Sequence, residues 1–189
     1  MLDHFDLIAP VYDRMMGYPD PDEFRRLLKL PTKGMLLDAG GGTGRASFRL
    51  RELTGGIVVS DLSLPMLRQA RGKGPPGAVL AHAERLPFAS ETFARVLVVD
   101  ALHHFCDQRE AVADLVRVLN PGGRLVIEEP DIRRFPVKLA AAGEKLFLMR
   151  SRFHHPEVIQ GMIRTHGLAT SIRPAPRFST WIVADKNRA

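Results

Sequence analysis

A chain of 189 residues, 45% hydrophobic and 25% charged, is long enough to bury a core and has the balance of an ordinary globular domain. No run approaches the ~20 apolar residues of a membrane span. The N-terminus MLDHFDLIAP lacks the basic and apolar regions of a secretory leader, and a lone Cys106 excludes an internal disulfide and a thiolate-rich metal site. One domain over residues 1–189 in the cytoplasm is the expectation. The net charge of +6 is unevenly placed: residues 1–130 carry 16 basic and 17 acidic side chains, residues 131–189 carry 11 and 4. Such a skew suits an anionic partner, including nucleic acid or an anionic membrane surface. The aromatic residues that a nucleic-acid stacking platform needs are few in that part.

In chain order, strands alternate with helices, the pattern of a mostly parallel sheet covered on both faces. After a helical N-terminal stretch, Gly34–Ala39 reads as a first buried strand closed by a glycine cluster, and Thr43–Leu53 as a helix. Gly56–Asp61 is a second strand. Ser63 caps the following helix, with Pro65 in its first turn, and a Gly/Pro-rich turn ends it. Ala78–Ala81 is a short third strand, and Arg95–Val99 a fourth, apolar enough to be buried on both faces. A helix from about Arg109 to Leu119 stops at Asn120-Pro121-Gly122-Gly123, and Arg124–Glu128 is the fifth strand. Pro156–His166 is a last helix, before strands near Ala169–Arg173 and Ser179–Ala184.

The chemistry concentrates where open α/β sheets bind ligands, beyond the carboxyl ends of the strands. Glycines directly after the first strand (Gly40, Gly41, Gly42, Gly44) allow a sharp turn and bring bare backbone against a ligand. The dinucleotide spacing G-x-G-x-x-G fails, because Arg45 stands at its third glycine. Asp38, two residues ahead of Gly40, would repel a pyrophosphate but suits the ammonium of an amino-acid moiety. Asp61, ending the second strand, is placed to accept hydrogen bonds from ribose hydroxyls. Imidazole takes a proton near neutral pH, so His103 and His104, just beyond the fourth strand, are candidate general bases. The histidines, His154 and His155 included, show no metal-binding spacing.

LLDAGGGTGR, VVSDLSLPMLRQAR, HAERLPF, VVDALHHF and RVLNPGGRLVIEE together resemble the successive motifs of class I S-adenosylmethionine-dependent methyltransferases, of the methyltransferase type 11 group. The likeness covers roughly Leu36–Glu129, about half the chain. It implies a Rossmann-like, seven-stranded, mostly parallel sheet with the last strand antiparallel and helices on both faces. It implies S-adenosylmethionine as methyl donor. Asp38 and the Gly40 backbone would hold the methionine ammonium, with Gly42 and Gly44 permitting close approach. Asp61 would take the ribose hydroxyls, Leu62 and Met66 would pack near the adenine, and Asp100 would stand beside the cofactor. In HAERLPF the family usually has Asp-Ala; here His82-Ala83 keeps the backbone contact of Ala83 to the adenine ring, and His82 replaces the usual carboxylate facing the adenine amino group.

The opening Phe5-Asp6-x-Ile8-Ala9-x-x-Tyr12-Asp13 is similar to that of ubiquinone/menaquinone-biosynthesis methyltransferases, in which the stretch folds over the cofactor. Residues 1–30 are then expected to form lid helices, with Tyr12 facing the sulfonium as a candidate catalytic residue. Residues 131–155, inserted after the fifth strand, are expected to build the acceptor pocket from apolar side chains with a basic rim. The acceptor expected is a small molecule, aromatic or quinone-like. An RNA acceptor and a non-catalytic S-adenosylmethionine-binding role stand as alternatives, and a peripheral membrane contact stays open.

Overall fold

The computed structural model describes residues 6, 8–74, 77–138 and 151–188. Two short helices come first, α1 (Tyr12–Met16) and α2 (Pro21–Leu27), the latter opened by Asp20, whose carboxylate accepts from the Asp22 amide, and by Pro21. Then follow β1 (Met35–Ala39), β2 (Gly56–Asp61), α3 (Leu64–Gly72), β3 (Gly77–Leu80), β4 (Phe93–Val99), α4 (Gln108–Val118), β5 (Leu119–Pro130), α5 (Pro156–Arg164), β6 (Ala169–Pro174) and β7 (Ser179–Asp185). Ser63 caps α3 by accepting from the Met66 amide, as the sequence predicts, and Asp107 caps α4 through the Arg109 and Glu110 amides.

The seven strands lie in the order β3-β2-β1-β4-β5-β7-β6. All neighbours as far as β5 pair in parallel, and β7 runs antiparallel between β5 and β6. This is the sheet that the sequence predicts. β1 sits between β2 and β4, so the order reverses beside it, and a crevice opens beyond the carboxyl ends of β1 and β4. Alternation along the central strands divides the core. Leu36, Leu97, Val126 and Val183 pack with Phe24, Leu27 and Leu28 around α2. Leu37, Val96, Val98, Leu125, Ile127 and Ile182 pack on the other face against Val112, Leu115, Ile159 and Ile163 of α4 and α5.

Two local predictions differ from the structure. The helix expected over Thr43–Leu53 is a run of turns followed by a 3-10 helix, Phe48–Leu53. Gly44, at φ +69°, donates to the Gly41 carbonyl at 2.8 Å, and Ser47 donates to Gly44 at 3.2 Å. These tight turns continue as 3-10 geometry, and Leu50 still reaches the core, fully buried. The fifth strand begins earlier than expected: α4 stops at Val118, but Leu119 already pairs with Phe93, and the register shifts before Arg95 meets Arg124. The Asn-Pro-Gly-Gly turn is therefore an irregularity within β5, with Gly122 at φ +75°. Of the expected lid, residues 1–5 and 7 lie outside the described residues; of the expected pocket segment, residues 139–150 do.

The N-terminal helices are tied to the sheet through Arg124. Its guanidinium is buried, donates twice to Asp185 at 2.7 and 2.6 Å, and donates again to the Leu27 carbonyl ending α2 at 2.8 Å. Hydrogen bonds from Arg124 hold the Asp185 carboxyl below the usual carboxylate range. Asp185→Asn leaves a buried guanidinium with one partner fewer; because the aspartate is half exposed, the expected loss is about 1–3 kcal/mol. A depressed carboxyl pKa contributes stability above the unfolded value, and this is lost as pH falls. Urea unfolding should therefore show wild type and Asp185→Asn converging as pH drops below about 4. A constant gap across that range would sink this account.

Candidate active site

Asp38 ends β1 with its carboxylate completely buried, and neither oxygen has a hydrogen-bond partner among the described residues. Burial pushes its pKa up to about 6, against the opposing influence of the Ser47 hydroxyl and the Arg45 charge. The glycine loop lies directly over it. A Cβ on Gly41 would fall 2.5 Å from the Asp38 carboxyl carbon, and one on Gly40, at φ +65°, would strike the Ala101 methyl at 2.7 Å. Only bare backbone fits in both places. Gly44 acts differently. It is absent from the cleft wall, and its Cα faces Val59 and Ala70, letting the loop pack on β2 and α3.

The loop is stitched to the end of β2. Asp61 accepts from the Gly42 amide through Oδ2 and from the Ser63 amide through Oδ1, both at 2.8 Å, so one carboxylate sets both the loop and the start of α3. Asp61, Leu62 and Met66 all line the cleft, beside Ala81 and Ala83. The side chain of His82 does not. It is 62% exposed and turned out of the cleft, while Glu84 is only 12% exposed and lines the wall. The structure thus does not bring the His82 side chain to the cleft, where the sequence expects it to face the adenine: the chain turns just after β3, the Arg85 amide donating to the His82 carbonyl at 3.1 Å, and Ala81, Ala83 and Glu84 take the inward side. Glu84 accepts the Asp107 amide at 3.1 Å. It stands inside the quoted HAERLPF motif, and its acid character was the signal.

At the end of β4, Asp100 adopts φ +51° and binds Arg45 at 2.7 Å. Burial raises the Asp100 pKa even so, with Arg45 opposing. Arg45, read from sequence only as breaking a dinucleotide spacing, is a buried cation bridging the glycine loop to β4, with its guanidinium 5.9 Å above the Tyr12 ring. Tyr12 lines the cleft, and burial raises its phenol pKa, keeping it protonated at neutral pH. Nearby, Asp13 accepts from Thr43, pairs with Lys73, and accepts from the Tyr18 hydroxyl at 3.1 Å. Burial alone would raise its pKa, but the Lys73 and Thr43 hydrogen bonds hold it below the usual range. This carboxylate straps α1 onto the loop after β1. Deeper, Glu128 accepts from the Trp181 indole at 2.6 Å; burial pushes its pKa up to about 7 despite that bond.

The two adjacent histidines part ways. His103 is buried, with Nδ1 2.6 Å from Glu129 Oε2, and its ring stacks on Phe153 at 4.4 Å. The other Glu129 oxygen accepts the Ala101 and Leu102 amides at 3.0 and 2.8 Å. His103 is absent from the cleft wall and serves the turn after β4, where the sequence makes it a candidate base. That same turn brings His104 to the cleft, with Nδ1 3.1 Å from the Ser151 hydroxyl. Phe105 and Cys106 complete that wall.

Residues 37–127 match the family model described as a methyltransferase domain. The chain is 38% identical over 104 residues to the ubiquinone/menaquinone biosynthesis C-methyltransferase of Haemophilus ducreyi, covering 50% of this chain and 40% of that one. It is 34% identical over 156 residues to the demethylmenaquinone methyltransferase of Corynebacterium urealyticum, covering 80% and 65%. The chain thus spans about half the length of the curated relatives it matches. Among solved structures, the putative methyltransferase in complex with the Trm112 methyltransferase activator of Haloferax volcanii shares the fold, with a TM-score of 0.82, 17% identity and full coverage of both chains. With Asp38, the glycine loop and Asp61 set at the switch point of that sheet, the chain belongs to the class I S-adenosylmethionine-dependent methyltransferases.

Proposed function

We propose that this chain binds S-adenosylmethionine in the cleft over Asp38 and transfers its methyl group to a small-molecule acceptor, aromatic or quinone-like. The observation that carries the reading is the buried, unpartnered carboxylate of Asp38 beneath a loop of bare backbone. A buried charge without a partner is strongly unfavourable, and a cationic ligand group is what would satisfy it. Asp61, Asp100 and Glu128 add further carboxylates around one buried guanidinium, Arg45. That surplus suits a ligand with an ammonium and a sulfonium and opposes the two phosphates of a dinucleotide. The quinone-biosynthesis C-methyltransferases among the relatives support the acceptor class.

Bound there, the cofactor would supply an electrophilic methyl group on a good leaving group, so the protein's work is alignment and exclusion of water. Asp38 and the Gly40 backbone would hold the ammonium, Asp61 the ribose hydroxyls, and Leu62 and Met66 the adenine faces. Ala83 would offer its backbone to the adenine ring, and Glu84, in place of His82, would accept from the amino group. Tyr12, carried on α1, would cover the reacting end as a neutral phenol. His104, its ring oriented by Ser151, would accept a proton where the acceptor must lose one.

Asp38→Asn should weaken S-adenosylmethionine binding by at least about 2 kcal/mol, roughly 30-fold, in calorimetry. The same change should stabilise the free protein. Because the folded pKa lies above the unfolded one, the ionised carboxylate disfavours folding above about pH 6, an effect relieved as pH falls toward the usual carboxylate range. At pH 7.5 the variant should gain about 2–3 kcal/mol, and near pH 4 almost nothing. Unchanged cofactor affinity would overturn the reading of this cleft.

For the adenine end, Glu84→Gln should weaken cofactor binding about tenfold, ~1.4 kcal/mol, while His82→Ala should leave it within about twofold, ~0.4 kcal/mol. The reverse pattern would return the adenine contact to His82. Screening small acids, phenols and quinones, with RNA as a control, against labelled methyl donor tests the acceptor class; transfer to RNA alone would refute it.

A further inference from the structure

Beyond His104 the rim of the cleft changes sign. Residues 151–155 cross the end of β4 and are held there by three polar contacts. Ser151 meets His104 at 3.1 Å, the Arg152 amide donates to the His103 carbonyl at 2.8 Å, and Gln108 Nε2 donates to the Arg152 carbonyl at 2.7 Å. The stacking of Phe153 on His103 anchors the same segment. This lays Arg152, His154 and His155 along the start of α4, which carries Arg109. Arg109, Arg152 and His155 are exposed, and His154 is half-buried.

Among the described residues none of these four enters an ion pair, whereas Arg117, Arg124 and Arg133 each close on a carboxylate. His154 is held below the ordinary histidine range, first by burial and then by the Arg109 and Arg152 guanidinium groups, with His155 acting in the same sense. Gathered guanidinium groups repel one another, and an oxyanion that bridges them relieves the repulsion while accepting their forked N–H groups. None of the four lines the cleft itself; their segment meets the cleft wall through Ser151 at His104, on the side of Phe105 and Cys106.

We propose that Arg109, Arg152 and His154 bind an oxyanion group, carboxylate or phosphate, on the methyl acceptor, so that the acceptor is a small acid whose reacting end lies toward His104. This rests on the reading of the cleft as a methyltransferase site. The acid class follows from the rim, since a neutral quinone would leave its cations unmatched.

The test is a titration of the whole chain with benzoate and, separately, inorganic phosphate at fixed ionic strength, read from the side-chain NMR signals of His154 and from calorimetry. Both probes, or one of them, should bind with a shift at His154, the responding probe telling carboxylate from phosphate. Arg109→Gln with Arg152→Gln should weaken that binding at least about tenfold. A control pair of the same charge change, Arg68→Gln with Arg173→Gln on exposed sites elsewhere, should leave it within about twofold. No response to either anion, an unmoved His154 signal, or equal weakening in the control pair overturns the proposal. S-adenosylmethionine affinity is measured on the same proteins. Anion binding through these arginines without cofactor binding would refute the methyltransferase reading and leave the oxyanion site standing; cofactor binding without anion binding would do the opposite.

Discussion

A carboxylate with no partner, sealed under its own backbone, is the constraint from which the rest of this site follows. Asp38 stands at the end of a central strand where water cannot reach it, and both oxygens lack hydrogen bonds among the described residues. A buried charge in that condition disfavours the folded state, and its raised pKa is the expression of that penalty. Burial in a protein interior ordinarily selects against such a group. Its presence at the switch point of the sheet makes sense if it is completed by a cation from the cleft that it lines, and the bare backbone of Gly40 and Gly41 lets the loop lie close over it. On the proposed reading, stability would be given up at Asp38 in exchange for binding strength.

The surrounding hydrogen bonds serve to keep that geometry from relaxing. A glycine loop over a repulsive charge would drift without anchors, and three carboxylates hold it. Asp61 fixes Gly42 to β2, Asp13 fixes Thr43 to α1, and Asp100 fixes Arg45 to β4. Each ties the loop to a different element, so the loop cannot shift toward one without loosening another. The strap through Asp13 also couples the N-terminal helix to the glycine loop beside the cleft, which gives Tyr12 a defined place on its wall. Arg45 shows the balance required: it is the cation that lets Asp100 and Glu128 coexist nearby, yet it does not reach hydrogen-bonding distance of Asp38.

The sheet and the end of it that carries the cleft were legible in the sequence because they depend on local, repetitive signals. Apolar runs of strand length, a glycine cluster after the first, and Ser63 ahead of Pro65 each act within a few residues. Asp38 and Asp61 were legible for the same reason, since a strand end fixes where a side chain can point. What was not legible depends on contacts across the chain. His82 and Glu84 differ in which way each turns after β3, and the anchoring Asp61 carbonyl and Asp107 amide are 20 or more positions away. His103 and His104 look equivalent as a pair of letters, yet Glu129, one strand over, takes the first into the core and leaves the second at the cleft. The glycine loop likewise misled: Ala46, Phe48, Leu50 and Leu53 carry helical spacing, but the turns that Gly44 imposes tighten the segment into 3-10 geometry.

The charge skew of the sequence finds a spatial counterpart in the cleft. The cleft wall holds Asp38, Asp61, Asp100 and Glu84 with Arg45, while the segment past His104 and the start of α4 hold Arg109, Arg152 and His154 without a carboxylate partner among the described residues. Low-dielectric walls concentrate the field between groups of opposite sign, so such a cleft has a direction. On the proposed reading, a cationic donor would be drawn to one end and an oxyanion to the other, and neither would take the other's place without meeting like charge. Alignment is the main demand of an in-line methyl transfer, and two opposed electrostatic anchors at the ends of one cleft would meet it with no group needed at the reacting carbon itself. The conformation of residues 151–155 then matters as much as any single side chain. Phe153 on His103, Gln108 on Arg152 and Ser151 on His104 set the distance between the two anchors, and with it which acceptors can place a nucleophilic atom in line.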